Sequence, residues 1–303
     1  MQRALRAATF FLLSTAGLAC RPQIGPVEVE LRTPVTATPA VDLKVCWVES
    51  ASAVGFTASS VLVRHPDGDL LIDGGNSSRF AEEITVYGGK DRRWFNLLPG
   101  NLKPREPLAA RLREVGVDPA GLRWLLPTHA HLDHMGGFLD LPPTPVLLAA
   151  EEIELIERGR KDVLFAVIPA HANAVAPLAE PIVFVEARYE IFDRRADLFG
   201  DGSVVVVPLA GHTPGSVGVF LNLPDGRRIF HVGDAVNHRR QVSDLRGRTP
   251  ALRRTDSDRT QANEVVAQLH ELAAQAPEIE ILPAHERAAW TQLFGSPGQA
   301  CPR

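Results

Sequence analysis

The residues with most chemistry per unit length are Thr128-His129-Ala130-His131-Leu132-Asp133-His134, followed by Met135-Gly136-Gly137. The apolar run just before them, residues 123–127, has the length and composition of a buried strand. Side chains two apart on an extended segment point the same way, so His129 and His131 can grip one ion from one side. Asp133 and His134 follow where the chain must begin to turn, ahead of two glycines, and can aim at a second ion. Imidazole nitrogens and carboxylate oxygens are ligands that zinc takes, at about 2.0–2.2 Å.

This stretch resembles the signature of the metallo-β-lactamase-fold hydrolases. The resemblance implies a further histidine, then a bridging aspartate, then a last histidine, each at a strand end. His212 follows residues 204–211 and precedes Thr213-Pro214-Gly215-Ser216; Asp234 follows residues 229–233; His285 follows residues 280–284. The match spans residues 42–295. Its implied fold is α/β: an αββα sandwich of two packed mixed β-sheets with helices on the outer faces.

Carried over residue by residue, the resemblance implies that His129, His131 and His212 bind one ion. Asp133, His134 and His285 would bind a second, with Asp234 bridging. Paired ions about 3.5–4 Å apart can hold a hydroxide and polarise a carbonyl or phosphoryl oxygen. Asp133 would orient that nucleophile and return a proton to the leaving group, which makes it the catalytic residue. Asp73, in Asp73-Gly74-Gly75, would brace the metal site from behind. With no cysteine among the ligands, two divalent ions are expected, zinc first, with iron, manganese or cobalt as alternatives.

Within the family, a bridging Asp234 points to lactonases, thioesterases and phosphodiesterases. The insert after Gly75 and the Gly-His-Thr-Pro-Gly-Ser run look most like N-acyl-homoserine lactonases. Such enzymes often place a tyrosine three residues after the bridging aspartate, where this chain has Asn237. Asn237, His238 and His171 are candidate substrate contacts. His65, in a turn, His231, within a strand, and His270, on a helix face, read as structural or solvated. The expected activity is opening of a lactone or similar ester. A metallo-β-lactamase, or a thioesterase or phosphodiesterase of the same fold, is the alternative, and a non-catalytic metal-binding lipoprotein the rival from another class.

The elements that must position these residues follow from pattern. Strands are expected at 41–49, 59–64, 69–73, 145–149, 181–187, 204–209, 217–223, 228–232 and 278–282. Pro66-Asp67-Gly68 and Pro224-Asp225-Gly226 close two hairpins. Helices are expected at 107–115, 151–161 (with Ile153, Leu155 and Ile156 inward) and 258–274. Residues 76–104 and 162–180 read as irregular, the first as a loop over the site.

The chain has 303 residues, 45% hydrophobic and 22% charged, as in ordinary globular proteins. Its formal net charge of −4 offers no basic face for nucleic acid, so a small-molecule substrate is expected. Arg3 and Arg6 precede an apolar run ending Leu18-Ala19, with Cys20 next. That describes a signal peptide over 1–19, with Cys20 resembling the lipid-attachment cysteine of bacterial lipoproteins. Residues 20–41, rich in proline, read as a tether, and 42–303 as the hydrolase domain. The expected location is exported, periplasmic or held to a membrane by that lipid alone. Cys46 and Cys301 could pair after export, or Cys46 could remain a buried thiol.

Overall fold

The computed structural model describes residues 23–25, 27, 41–53, 55–95, 106–158, 167–250 and 252–301. The expected signal segment, Cys20 and most of the tether lie outside them.

Two mixed sheets form. The first runs β1 (Lys44–Ala53), β2 (Phe56–Arg64), β3 (Asp69–Ile72), β4 (Leu122–Leu126), β5 (Val146–Leu148), β6 (Ala179–Pro181), antiparallel as far as β3 and parallel thereafter. The second has the order β11 (Ile279–Leu282), β10 (Arg228–His231), β9 (Val217–Asn222), β8 (Val204–Pro208), β7 (Ala196–Asp197), with only the β10–β11 pair parallel.

Why the central strands carry long apolar runs is clear from the layers. Val61, Val63, Leu70, Ile72 and Leu126 of the first sheet meet Val204, Val206, Val219, Leu221 and Ile229 of the second. The residues between them face outward and are covered too. Leu62, Leu71 and Leu125 pack with Leu108 and Leu112 of the helix Leu108–Glu114 and with Ile156 of the helix Ala150–Arg158. Val205, Val207, Phe220 and Phe230 pack with Val265, Val266, Leu269 and Leu272 of the helix Arg259–Gln275. A sheet covered on both faces has no solvent side, so alternation disappears from its sequence. Each such side chain contributes about 1.5–3 kcal/mol of burial. This is the αββα sandwich expected.

Several elements depart from expectation. The apolar segment 181–187 keeps only its first residue in β6; Val183 and Val185 are 76% and 51% exposed. The Ile182 N–H still donates to the Leu148 carbonyl at 2.8 Å, after which the segment leaves the sheet and Val185 pairs instead with Arg195. Residues 76–95, expected as loop, contain the short turns Phe80–Glu83 and Ile84–Val86 and the helix Gly89–Phe95. Two unanticipated helices are Pro169–Val175 and Arg287–Phe294. The latter carries Trp290, fully buried, into the intersheet core 5.8 Å from the Trp47 ring centroid.

At the N-terminal side, Ile24 is buried against the second sheet and its N–H donates to the Leu245 carbonyl at 3.0 Å. That part of the expected tether is docked. Cys46 on β1 and Cys301 form a disulfide, with Cα atoms 5.9 Å apart, which resolves the choice between pairing and a free thiol. Among the described residues no helix is long and apolar enough to cross a membrane.

Candidate metal centre

Ligands gather where strands end. β4 runs into His129 and His131, and His131 caps the short helix Leu132–Met135, whose first turn presents Asp133 and His134. His212 follows β8, Asp234 follows β10 and His285 follows β11. Gly233 makes the last approach possible: its φ is +49°, and a Cβ there would meet Thr128 Oγ1 at 2.6 Å. All five imidazoles are at least nine-tenths buried.

Two groups result. The rings of His129, His131 and His212 stand edge to face with centroids 4.5, 4.7 and 4.6 Å apart, and His131 Nδ1 lies 3.0 Å from His212 Nε2. In the other group, His285 Nε2 is 3.3 Å from Asp133 Oδ2, and His134 Nε2 is 3.9 Å from Asp133 Oδ1. Asp234 lies between. Its Oδ1 is 3.6 Å from His134 Nε2 and 3.1 Å from His285 Nε2, while its Oδ2 is 3.5 Å from His212 Nε2. The donor atoms of His129, His131 and His212 fall within 4.8 Å of one another, as do those of Asp133, His134 and His285, and those of His129, His134 and Asp234.

The outer faces of the rings are tied down. His134 Nδ1 lies 3.0 Å from Asp73 Oδ2; His212 Nδ1 lies 2.9 Å from Asp256 Oδ1; His285 Nδ1–H reaches the Thr57 carbonyl at 2.9 Å. An outward N–H on Nδ1 leaves the Nε2 lone pair facing inward, which is the tautomer a ligand needs. His129 Nε2 and His134 Nε2 are buried without a hydrogen-bond partner. Orphaned acceptors cost about 1–3 kcal/mol each unless something else occupies them. A converging set of such atoms fits metal ions.

Electrostatics agrees. Burial, reinforced by neighbouring imidazoles, holds His129 and His131 well below the ordinary histidine range, hence neutral. Burial opposes charge on His285 as well, yet Asp234 and Asp133 together raise it well above that range. Burial likewise opposes ionisation of Asp133, but His285 and His134 outweigh it and lower its carboxyl to about 2. The second group is therefore the more strongly acidic of the two, where positive charge is most welcome.

Asp73 sits where a brace was expected. It is buried, accepts from the Thr128 N–H at 2.7 Å and holds His134. His231, read as structural, is part of that brace, with Nε2 3.2 Å from Asp73 Oδ2. His65 and His270 are structural as read: His65 pairs with Asp201 at 2.9 Å, and His270 Nδ1 lies 2.7 Å from the Val242 carbonyl.

The three candidate substrate contacts part company. His171 is fully buried with Nε2 2.8 Å from Glu83 Oε2, so it is an internal pair and not a wall of an open cleft. His238 is 41% exposed and 3.4 Å from Glu286 Oε1, next to His285. Asn237 is half-buried; its Oδ1 accepts from Arg248 Nη1 at 3.0 Å, leaving Nδ2 as its donor.

Three important residues were not anticipated. Asp256 holds His212, and Arg248 Nε in turn lies 3.0 Å from Asp256 Oδ1. Glu152 is fully buried beneath the ligand loops. Only Glu152 left a trace in the sequence: it lies three and four residues before Leu155 and Ile156, on the apolar stripe of its helix, where a carboxylate needs a reason.

The family model described as metallo-beta-lactamase superfamily matches residues 53–285. The N-acyl homoserine lactonase AttM of Azorhizobium caulinodans is 23% identical over 249 residues, covering 78% of this chain and 84% of that protein. A probable metallo-hydrolase of Mycobacterium tuberculosis is 27% identical over 256 residues, covering 80% and 78%. Among solved structures, an N-acyl homoserine lactone hydrolase with the product N-hexanoyl-L-homoserine at its catalytic metal center superposes with a TM-score of 0.59 at 16% identity, covering 84% of this chain and 97% of that one. AidC, a dizinc quorum-quenching lactonase, gives 0.53 at 15%, covering 86% and 92%. At these identities the structural likeness speaks for the fold alone.

Proposed function

Because the chain belongs to the metallo-beta-lactamase superfamily, we propose that it is an exported hydrolase that uses two divalent ions, zinc first, to open a lactone or similar ester. The observation that carries the two-ion reading is Asp234, which turns one carboxylate oxygen toward His134 and His285 and the other toward His212. A nitrogen and oxygen donor set without cysteine suits zinc. When bound, such ions lower the pKa of water and polarise the carbonyl under attack. Relatives named as N-acyl homoserine lactonases support the lactone as substrate.

The protein's own groups then have defined tasks. Asp133, 16% exposed and so more open to water than Asp234 at 11%, is the carboxylate placed to accept the proton lost by the attacking water. Protonated, it returns that proton to the departing alkoxide. Asp73, Asp256 and the Thr57 carbonyl hold His134, His212 and His285 in one tautomer. Asn237 Nδ2–H is the donor available to the substrate carbonyl, a weaker acid than a phenol. Turnover is therefore expected to be slower than in relatives with tyrosine there.

The test is a panel on one purified, zinc-reloaded preparation: an N-acyl homoserine lactone, a β-lactam, a thioester and a phosphodiester. Chelation should abolish activity and zinc restore it. The lactone should exceed the β-lactam in kcat/KM by about a hundredfold or more. A β-lactam preference would overturn the assignment.

Export rests on the signal-like residues 1–19 and gains support from the Cys46–Cys301 disulfide, a bond of oxidising compartments. Intact-mass measurement on membrane-extracted protein should find a chain beginning at a lipidated Cys20. A mass retaining residues 1–19 would contradict export by cleavage.

A further inference from the structure

Helix Ala150–Arg158 lies on the outer face of the first sheet, and its Glu152 carboxylate is fully buried. A buried carboxylate is expensive unless donors surround it. Here three do. Oε1 accepts from the Ala130 N–H at 2.6 Å; Oε2 accepts from Thr213 Oγ1 and from the Gly215 N–H, each at 2.9 Å. Ala130 is the residue between His129 and His131, and Thr213 directly follows His212. The approach is close enough that a Cβ on Gly215 would meet the Glu152 backbone nitrogen at 2.6 Å. The bonds of Glu152 fall beside all three histidines of the first set; Ala130 is also three residues before Asp133 on the same stretch, whereas Asp234 and His285 stand on other loops.

We propose that Glu152 is a positioning residue that clamps the His129–His131 loop to the His212 loop and so sets chiefly the geometry of the three-histidine ion set. The inference rests on the two-ion reading and deepens it: Glu152 bonds beside the histidines of one set, while Asp73 contacts His134 of the other directly and reaches His129 only through Thr128. Every bond to Glu152 is donated to it, from two directions. A glutamine there must turn its NH2 toward either Ala130 or the Thr213–Gly215 pair, so it keeps two of the three bonds at most.

The experiment compares wild type, Glu152→Gln, Thr213→Val and Thr213→Ser in two measurements. Zinc is titrated against a chromophoric chelator, and amide exchange is followed in the metal-free protein. In Glu152→Gln one ion should weaken by about 10–100-fold while the other stays close to wild-type affinity. The Ala130 and Gly215 amides should exchange faster, with those of β8 and β9 unchanged. Thr213→Val should show the same pattern more mildly, and Thr213→Ser, which restores the hydroxyl, should reverse it. If Glu152→Gln fails to fold, the Thr213 pair decides. Unchanged affinity and exchange, or equal weakening of both ions with exchange rising through the strands, would overturn the proposal. If wild type takes up a single ion, the two-ion reading falls, and amide exchange alone judges the clamp.

Discussion

Asp133→Ala should lower kcat by about 10²–10⁴-fold while leaving the fold in place. Its carboxylate is held between His134 and His285, at 3.9 and 3.3 Å, and remains 16% exposed. No apolar packing depends on it, so truncation opens no core cavity. What truncation removes is the group that accepts and returns the proton, together with one donor of the second set. His134 and His285 still face that set, with Asp234 beside them. The second ion should therefore weaken without vanishing, and saturating zinc should restore occupancy but not rate. Circular dichroism, zinc content and kcat measured on one preparation separate these effects. Near-normal turnover at full occupancy would show that another group handles the proton.

The ligands were legible for different reasons. His129, His131, Asp133 and His134 lie within six residues and declare themselves by spacing. His212, Asp234 and His285 are each unremarkable locally; only their order, each after an apolar run, singled them out. The residues that hold the ligands were mostly silent. Asp256 and Arg248 lie far along the chain from His212, which Asp256 holds, and precede no recognisable pattern, because a hydrogen bond between distant loops imposes no period on sequence. His231 looked like a strand histidine and is one, yet its ring faces Asp73. In the fold, strands covered on both faces betrayed themselves by length and β-branching. Helix Arg287–Phe294 was missed since its buried side consists of little more than Ala289 and Trp290. His171 misled because the Pro169–Val175 helix that turns it inward was itself unseen.

Asp73 offers the sharpest test of whether the brace sets the tautomer of a ligand or merely fills space. Its backbone has φ +56°, a conformation that Asp and Asn tolerate best among side-chain-bearing residues. Asp73→Asn is thus the clean variant, and Asp73→Ala the severe one. In Asp73→Ala, the Thr128 N–H loses its acceptor at 2.7 Å and two buried imidazoles lose a carboxylate at 3.0 and 3.2 Å. Removing one partner from a buried charged set costs about 3–5 kcal/mol. In Asp73→Asn the amide oxygen can still accept from Thr128, so stability should fall far less. Its NH2, however, would point at His134 Nδ1, which must then give up its proton and accept. The proton moves to Nε2, the atom that faces Asp133 and Asp234. A protonated Nε2 cannot ligate. Zinc affinity of the second set should therefore drop by about 10–100-fold in a protein whose melting temperature is close to wild type. Competitive zinc titration beside thermal melts reads both quantities. If Asp73→Asn loses stability and keeps zinc, Asp73 is a packing residue and the tautomer is set elsewhere.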